Sequence, residues 1–258
     1  MAGTVLYELD GHVATITYNR PDARNAINAE LRQDLNGAWE RFRDDEDAWV
    51  GIVTGAGDSF CAGADMSDAG GSVCTWPGSF WEIPTVNSYE SGLEVWKPTI
   101  AAVNGYCLGY GLTLVTRCDF VIAADDAQFG FPEVRLGVPT IVGALRLPDR
   151  VGWSNAMELL LTGDRVDAAR AQEIGLAWKV VPRGDLMGEA RRLAGRLLHA
   201  APLAARATKE VAARGRYLPW VEAVRFGETM RRVAAATEDA TEGFTAARER
   251  RPPNWRGR

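Results

Sequence analysis

The segment PTIAAVNGYCLGYGLTLVTRCDFVIAADDAQFGFPE, residues 98 to 133, decides how the rest of the chain is read. Thr99 to Val103 is a short apolar run bounded by Pro98 and by Asn104-Gly105, a pattern that favours a buried strand over a helix. Gly105, Gly109 and Gly111 then give the backbone conformations closed to other residues and let a ligand come close. The apolar stretch Leu112 to Val115 predicts a helix whose unpaired first-turn N–H groups and positive dipole end face back into that turn. A turn of this kind suits a negatively charged oxygen, phosphate or enolate. A second strand follows, and a turn that ends on the carboxylate of Glu133. Taken alone, the glycines fit an ordinary strand-to-helix crossover equally well. No Lys-Ser/Thr follows Gly111 and GYCLGYG is not G-x-G-x-x-G, which weakens phosphate-loop and dinucleotide readings.

Outward from this segment, the chain of 258 residues is long enough to bury a substantial core, as one large α/β domain or a core with a helical appendage. Its 47% hydrophobic and 24% charged residues are ordinary for a soluble globular protein. A net charge of -5 and a pI near 5.3 argue against a general nucleic-acid binder, and the arginines of the last third are interleaved with acids. Cys61, Cys74, Cys107 and Cys118 form no C-x-x-C pair and lie far in sequence from His12 and His199, so a zinc site is not expected and a reduced, cytoplasmic setting fits. No signal peptide is visible, and no apolar run approaches the ~20 residues needed to span a bilayer.

Val5 to Leu9, Asp10-Gly11 and His12 to Tyr18 read as a hairpin, with His12 structural. A polar loop, Asn19 to Asn28, leads into a helix with Asn28 as N-cap and with Leu31, Leu35, Ala38, Trp39 and Phe42 on one face; the acidic cluster Asp44 to Asp47 ends it. Trp49 to Thr54 is a second buried strand. The small-residue loop Gly55 to Met66 after it can turn backbone N–H groups toward a ligand, with Asp65 capping or orienting it. From Ser67 to Ser91, glycines and prolines interrupt any period while Trp76, Phe80, Trp81 and Tyr89 supply apolar surface, as in a binding wall or a pinned surface loop. Beyond Glu133 come a turn-rich segment, Val134 to Pro148, that enters a helix, then helical patterns over Trp153 to Thr162 and Ala168 to Ile174, and a short strand at Ala177 to Pro182. From Asp185 the pattern is helical, broken at Pro202, Gly215 and Pro219. The tail RRPPNWRGR is too charged and proline-rich for the core.

Two glycine-rich loops, each following a strand, with a carboxylate shortly after the second, form a specific combination. Together with Asn19-Arg20-Pro21 through Asn28, Phe60-Cys61-Ala62-Gly63-Ala64-Asp65, Asn104-Gly105-Tyr106 through Gly111, Cys118-Asp119, Phe129-Gly130-Phe131-Pro132-Glu133, Leu161-Thr162-Gly163 and the tail, it makes the chain resemble the crotonase (enoyl-CoA hydratase/isomerase) superfamily over essentially its whole length. The resemblance implies an α/β fold: a spiral of ββα units over residues 1–200, a C-terminal helical oligomerisation region over 201–258, and trimers or dimers of trimers. It implies an acyl-CoA thioester as substrate, with coenzyme A part of that substrate and no separate cofactor or metal. The thioester oxygen is expected between the N–H groups of Ala64 and Tyr110, which would stabilise an enolate. Arg24 and Ala26 match positions that bracket the CoA nucleotide and pantetheine, and Phe244 matches a residue that closes over CoA. Ala62, Asp65, Met66 and Thr113 complete the expected contacts.

The chain also departs from that pattern. Hydratases of the superfamily use two glutamates around one water; the first falls at Thr113, whose hydroxyl holds a water but does not take its proton near neutral pH, and the second is Glu133. Tyr110 replaces a glycine usual at the second oxyanion position, which is compatible with the role if the ring points away. Gly137 to Leu147 is one residue shorter than the common pattern and lacks its paired glycines. A lone carboxylate beside an enolate-stabilising site is what a double-bond isomerase needs, and hydration is harder with one. Glu82 and Glu90 are alternative sources of a second acid. The other readings are a catalytically inactive acyl-CoA-binding protein, motivated by Thr113, and, last, hydrolysis, dehalogenation or ring cleavage. For Glu133 a plain helix-cap or surface role is the competing assignment, and for Thr113 that of a packed helix residue.

Overall fold

Gly11, at φ +54, turns the chain between β1 (Val5–Asp10) and β2 (Val13–Tyr18), which pair antiparallel. The structure is a computed structural model that describes residues 3–67 and 88–258. The proposed wall residues Trp76, Phe80 and Trp81, with Glu82 and Cys74, lie outside the described residues. β3 (Val50–Gly55), β4 (Thr99–Val103), β6 (Phe120–Ala124) and β9 (Lys179–Val181) then extend the sheet in parallel, in the order β1-β2-β3-β4-β6-β9.

Both faces of this sheet are covered, as parallel strands require, and alternate residues of each strand therefore feed two cores. Ala101, Val103, Val121 and Ala123 face the larger core, which also takes in the buried side of helix α1 (Ala29–Asp44), while Ile100, Ala102, Ile122 and Ala124 pack with α6 (Leu186–Leu197). The expected face of α1 is the buried one, and Asn28 caps it by accepting from the Leu31 N–H. Its C-terminus is closed by the buried Lys97, whose ammonium donates to the carbonyls of Phe42 and Asp45. His12 is structural: its ring stacks on Trp49 at 3.6 Å, and Nδ1 lies 2.7 Å from the Asp47 carbonyl.

A second layer runs beside the first and was not read from the sequence. β5 (Tyr106–Leu108), β7 (Gln128–Gly130) and β8 (Arg165–Asp167) form a three-stranded sheet. Single parallel bridges extend it, Cys61 to Cys107 and Ile27 to Ala64. After each long strand the chain thus places one short extended piece in the second layer: Ile27 after β2, Cys61 to Ala64 after β3, β5 after β4, and β7 after β6. These are the turns of a ββα spiral, and they stack the glycine-rich loops side by side.

The helices that follow the strands of the spiral are α2 (Tyr110–Val115), α3 (Val142–Val151), α4 (Trp153–Thr162) and α5 (Ala168–Glu173). α2 starts at Tyr110 rather than Leu112, because Gly109, at φ +53 and ψ −116, turns the chain before it. The segment at 88–93 is anchored by Tyr89, which stacks on Trp39 at 3.8 Å and shares a 2.9 Å hydrogen bond with Thr99. The C-terminal helices are α7 (Pro202–Gly215), α8 (Trp220–Ala235) and α9 (Glu238–Glu249), with a further break at Thr237, which caps α9. The tail stays out of the core yet is tied down: buried Asp239 accepts from the N–H groups of Arg256 and Gly257, and the Trp255 indole donates to His199. Among the described residues no helix is long and apolar enough to cross a membrane.

Candidate active site

The loop after β3 is held by buried amides. Asn25, at φ +55, donates to the carbonyls of Ala56 and Ser59, and Asn104 donates to those of Gly55 and Gly57. On the other side Arg20 makes 3.0 Å hydrogen bonds from both terminal nitrogens to Asp65, which also accepts from Ser67. Asp65 therefore orients the loop, and those donors hold its carboxyl below the usual carboxylate range. The result is a short extended run in which Cys61 bonds to β5 on one side while Gly63 and Asp65 bond to Ile27 on the other.

That ladder engages every second amide, so it passes over Ala64. The Ile27 N–H donates to Gly63 and the Asp65 N–H to Ile27, and the N–H of Ala64 has no acceptor among the described residues. The N–H of Tyr110, at the first position of α2, likewise has none. Ala64 itself is exposed.

Gly109 brings the second donor and the carboxylate together. A Cβ placed on it would stand 3.0 Å from Glu133 Oε1 and 3.7 Å from Gly63 Cα, so the residues preceding both donors and the glutamate head group meet at one point. Glu133 lies in a 3-10 turn, Pro132–Leu136, and does not cap it. Its Oε2 is buried without a hydrogen-bond partner; the Thr140 hydroxyl nearby makes no bond of normal geometry. Burial pushes the Glu133 carboxyl above its ordinary value, against the smaller opposing pulls of its own N–H and Thr140.

A model of the enoyl-CoA hydratase/isomerase family matches residues 8–258. The chain belongs to that family. It is 39% identical over 253 residues to a probable enoyl-CoA hydratase of Mycobacterium tuberculosis, covering 98% of this chain and 97% of that one. It is 37% identical over 255 residues to the (E)-benzylidenesuccinyl-CoA hydratase of Thauera aromatica, covering 98% and 99%. The crystal structure of an enoyl-CoA hydratase from Mycobacterium tuberculosis H37Rv superposes with a TM-score of 0.91 at 35% identity, over 100% of both chains.

The structure places the other expected family residues unevenly. Arg24 is exposed, in the left-handed region at φ +50, 5.7 Å from the centre of the Tyr106 ring. Ala26 accepts from Arg20, and the Ala62 N–H donates to Arg24, so these two hold the loop beside Ala64. Met66 is exposed. Thr113 is buried on α2, and a Cβ on Gly143 would lie 3.0 Å from its hydroxyl oxygen and 2.6 Å from the Phe131 ring. Phe244 is 80% exposed on α9, and no bond or ring contact among the described residues joins it to the Glu133 group.

Three features escaped the sequence. Glu90 is buried and accepts from Ser88 and from the Tyr110 hydroxyl, so it holds the tip of the Tyr110 side chain rather than lying free as a second acid. The Tyr110 side chain thereby points toward the 88–90 turn, with Arg32 5.4 Å from its ring centre. The third is the Cys61 sulfur, which accepts the N–H of Gly63 at 3.4 Å. None of these pairs has a sequence spacing that marks it.

Proposed function

We propose that the protein binds the thioester of an enoyl-CoA, holds the carbonyl oxygen between the Ala64 and Tyr110 N–H groups, and uses Glu133 to move a proton. The observation that carries this reading is the meeting of Glu133 Oε1 with Gly109, next to a free Tyr110 amide and across from Gly63-Ala64. Each such amide is typically worth ~3 kcal/mol to a developing oxyanion in a site that excludes water. Polarising the thioester acidifies C2. In double-bond isomerisation Glu133 takes a proton from C2 of a 3-enoyl ester, the electrons pass into a dienolate whose oxygen the two amides hold, and the protonated Glu133 returns the proton to C4. The double bond moves to C2–C3 and the carboxylate is restored. Hydration would use the same glutamate twice, to take a proton from water as it adds to C3 and to deliver one to C2. Thr113, buried at the other expected position, supports isomerisation as the easier reaction.

No separate cofactor is called for, since coenzyme A comes and goes with the substrate. Arg24, Ala26, Ala62, Asp65, Met66 and Thr113 stand as its contacts. The C-terminal region 201–258 fits assembly into trimers or dimers of trimers: α8 buries no residue, Trp220 is 81% exposed, and Phe244 is free to serve a neighbouring copy. A cytoplasmic setting accords with the buried free thiols Cys61, Cys107 and Cys118.

The test is incubation of the protein and its Glu133→Gln variant with crotonyl-CoA and with a 3-enoyl-CoA, followed by absorbance and mass. Turnover of at least one ester is expected, with a loss of about 100- to 10,000-fold in the variant. Binding of the ester should persist. Binding without product in the unaltered protein would instead support a non-catalytic acyl-CoA carrier, and full activity in the variant would remove Glu133 from the reaction.

A further inference from the structure

Cys61 takes no part in the chemistry proposed above, yet it touches the backbone of both donor loops. Its N–H donates to Tyr106 and its carbonyl accepts from Leu108, which fixes it against β5. Its sulfur turns inward, fully buried, and accepts the N–H of Gly63 at 3.4 Å. Gly111 packs directly on the same side chain: a Cβ on it would stand 3.1 Å from the sulfur and 2.6 Å from the Cys61 Cβ. Gly63 immediately precedes Ala64, and Gly111 immediately follows Tyr110. One side chain thus touches a peptide group adjacent to each of the two amides, accepting from Gly63 and packing on Gly111. The thiol proton has its own acceptor, the Gly63 carbonyl at 3.9 Å.

We propose that Cys61 is a positioning residue whose sulfur sets the separation and aim of the Ala64 and Tyr110 amides, and so tunes how strongly the thioester carbonyl is polarised. The inference rests on the two-amide reading above. Sulfur is large and accepts at long range, so it bridges two loops that an oxygen would draw together: N–H···O bonds settle near ~2.9 Å, several tenths of an ångström shorter than the contact here. A methyl group would leave the buried Gly63 N–H with no acceptor and open a gap beneath Gly111. Because the stabilisation of an oxyanion depends on donors aimed at the position of the developing charge, small displacements of this kind are felt in turnover before they are felt in binding.

The test compares the full chain with Cys61→Ser and Cys61→Ala, using hexanoyl-CoA carrying carbon-13 at the carbonyl as a probe that holds no double bond to move. The carbonyl stretching frequency of the bound ester, read by infrared difference spectroscopy, is expected to fall on binding to the unaltered protein and to move back toward the free value in both variants. Turnover of an enoyl-CoA should drop by about 10- to 100-fold, with the Kd for hexanoyl-CoA changed by less than about threefold. An unchanged frequency and kcat in folded variants would overturn the role of Cys61 while leaving the two amides in place. No shift in the unaltered protein would overturn both. Should neither variant fold, amide exchange in the unaltered protein decides: the Gly63 N–H should be protected, and fast exchange there would end the proposal.

Discussion

The hydroxyl of Tyr110 donates a hydrogen bond to the carboxylate of Glu90, which is only 3% exposed and also accepts from Ser88. Tyr110 is thereby held by its tip, while its amide has no acceptor among the described residues. Tyr110→Phe deletes the donor and keeps the amide. Loss of stability of about 1–3 kcal/mol is expected from the carboxylate left short of a partner. Turnover should stay within about tenfold, roughly 1.4 kcal/mol of barrier. Chemical denaturation and steady-state kinetics on the same preparation check both, and a large kinetic loss without destabilisation would show that the hydroxyl itself takes part.

Glu133 makes the fold pH-sensitive in a definite direction. Burial raises its carboxyl above the ordinary 4.5, so the folded chain holds this proton more tightly than the unfolded chain does. The contribution favours the fold below the ordinary carboxylate range and is lost as pH rises through the raised value. Glu133→Gln, which cannot ionise, is therefore expected to melt at a higher temperature than the unaltered protein at neutral pH, with the gap closing below the carboxylate range. Calorimetry across pH checks this; a destabilised variant at neutral pH would mean that the carboxylate is paired. The acid limb of kcat/KM should likewise sit above the value for an ordinary glutamate.

Gly109→Ala tests the meeting point. The added methyl would lie 3.0 Å from Glu133 Oε1, at a φ of +53 that costs a side chain about 1–3 kcal/mol. The carboxylate must shift to accommodate it, and a displacement of about 1 Å in a reacting group can cost about 100-fold in rate. Loss of kcat with ester binding retained is the expected result, read by stopped-flow kinetics and equilibrium binding. Unchanged kcat in the alanine variant would place the proton transfer elsewhere.

Lys209, on α7, reaches Asp119 at 2.7 Å, and Asp119 also accepts from both the N–H and the hydroxyl of Thr99 at the start of β4. Burial lowers the lysine pKa, with Asp119 partly restoring it. Lys209→Met leaves the carboxylate without its cation and should cost about 3 kcal/mol, the low end for a broken buried pair because Asp119 is partly solvated. Urea denaturation of Lys209→Met, with Asp119→Asn and the double variant completing a cycle, gives the coupling; simple additivity would show that the two do not interact.

The parts of the molecule legible in the sequence are those with enough residues to show a period. The five apolar positions of α1 and its Asn28 cap, and the runs that became β1 to β4, follow from side-chain spacing alone. β5, β7 and β8 have three residues each, too few for any alternation to register, so the second layer stayed hidden. With it stayed hidden the reason Glu133 lies against Gly109, because sheet pairing rather than sequence distance brings them together. Family resemblance pointed to Ala64, Tyr110 and Glu133 as a set, but Arg20 on Asp65, Glu90 on Tyr110 and Cys61 between two glycines are contacts between side chain and distant backbone or side chain. Such contacts leave no periodic trace.

Leu108 and Gly130 are partners across β5 and β7, and the Gly109 N–H donates to the Gly130 carbonyl at 2.9 Å. Tyr110 follows the first of these partners by two residues and Glu133 follows the second by three. The Tyr110 amide and the Glu133 carboxylate are therefore suspended from one rung of one ladder. A displacement of that rung would carry both in the same direction, leaving only the mismatch gathered over a handful of bonds between them. Relative placement is in this way buffered against motions larger than the chemistry itself could tolerate.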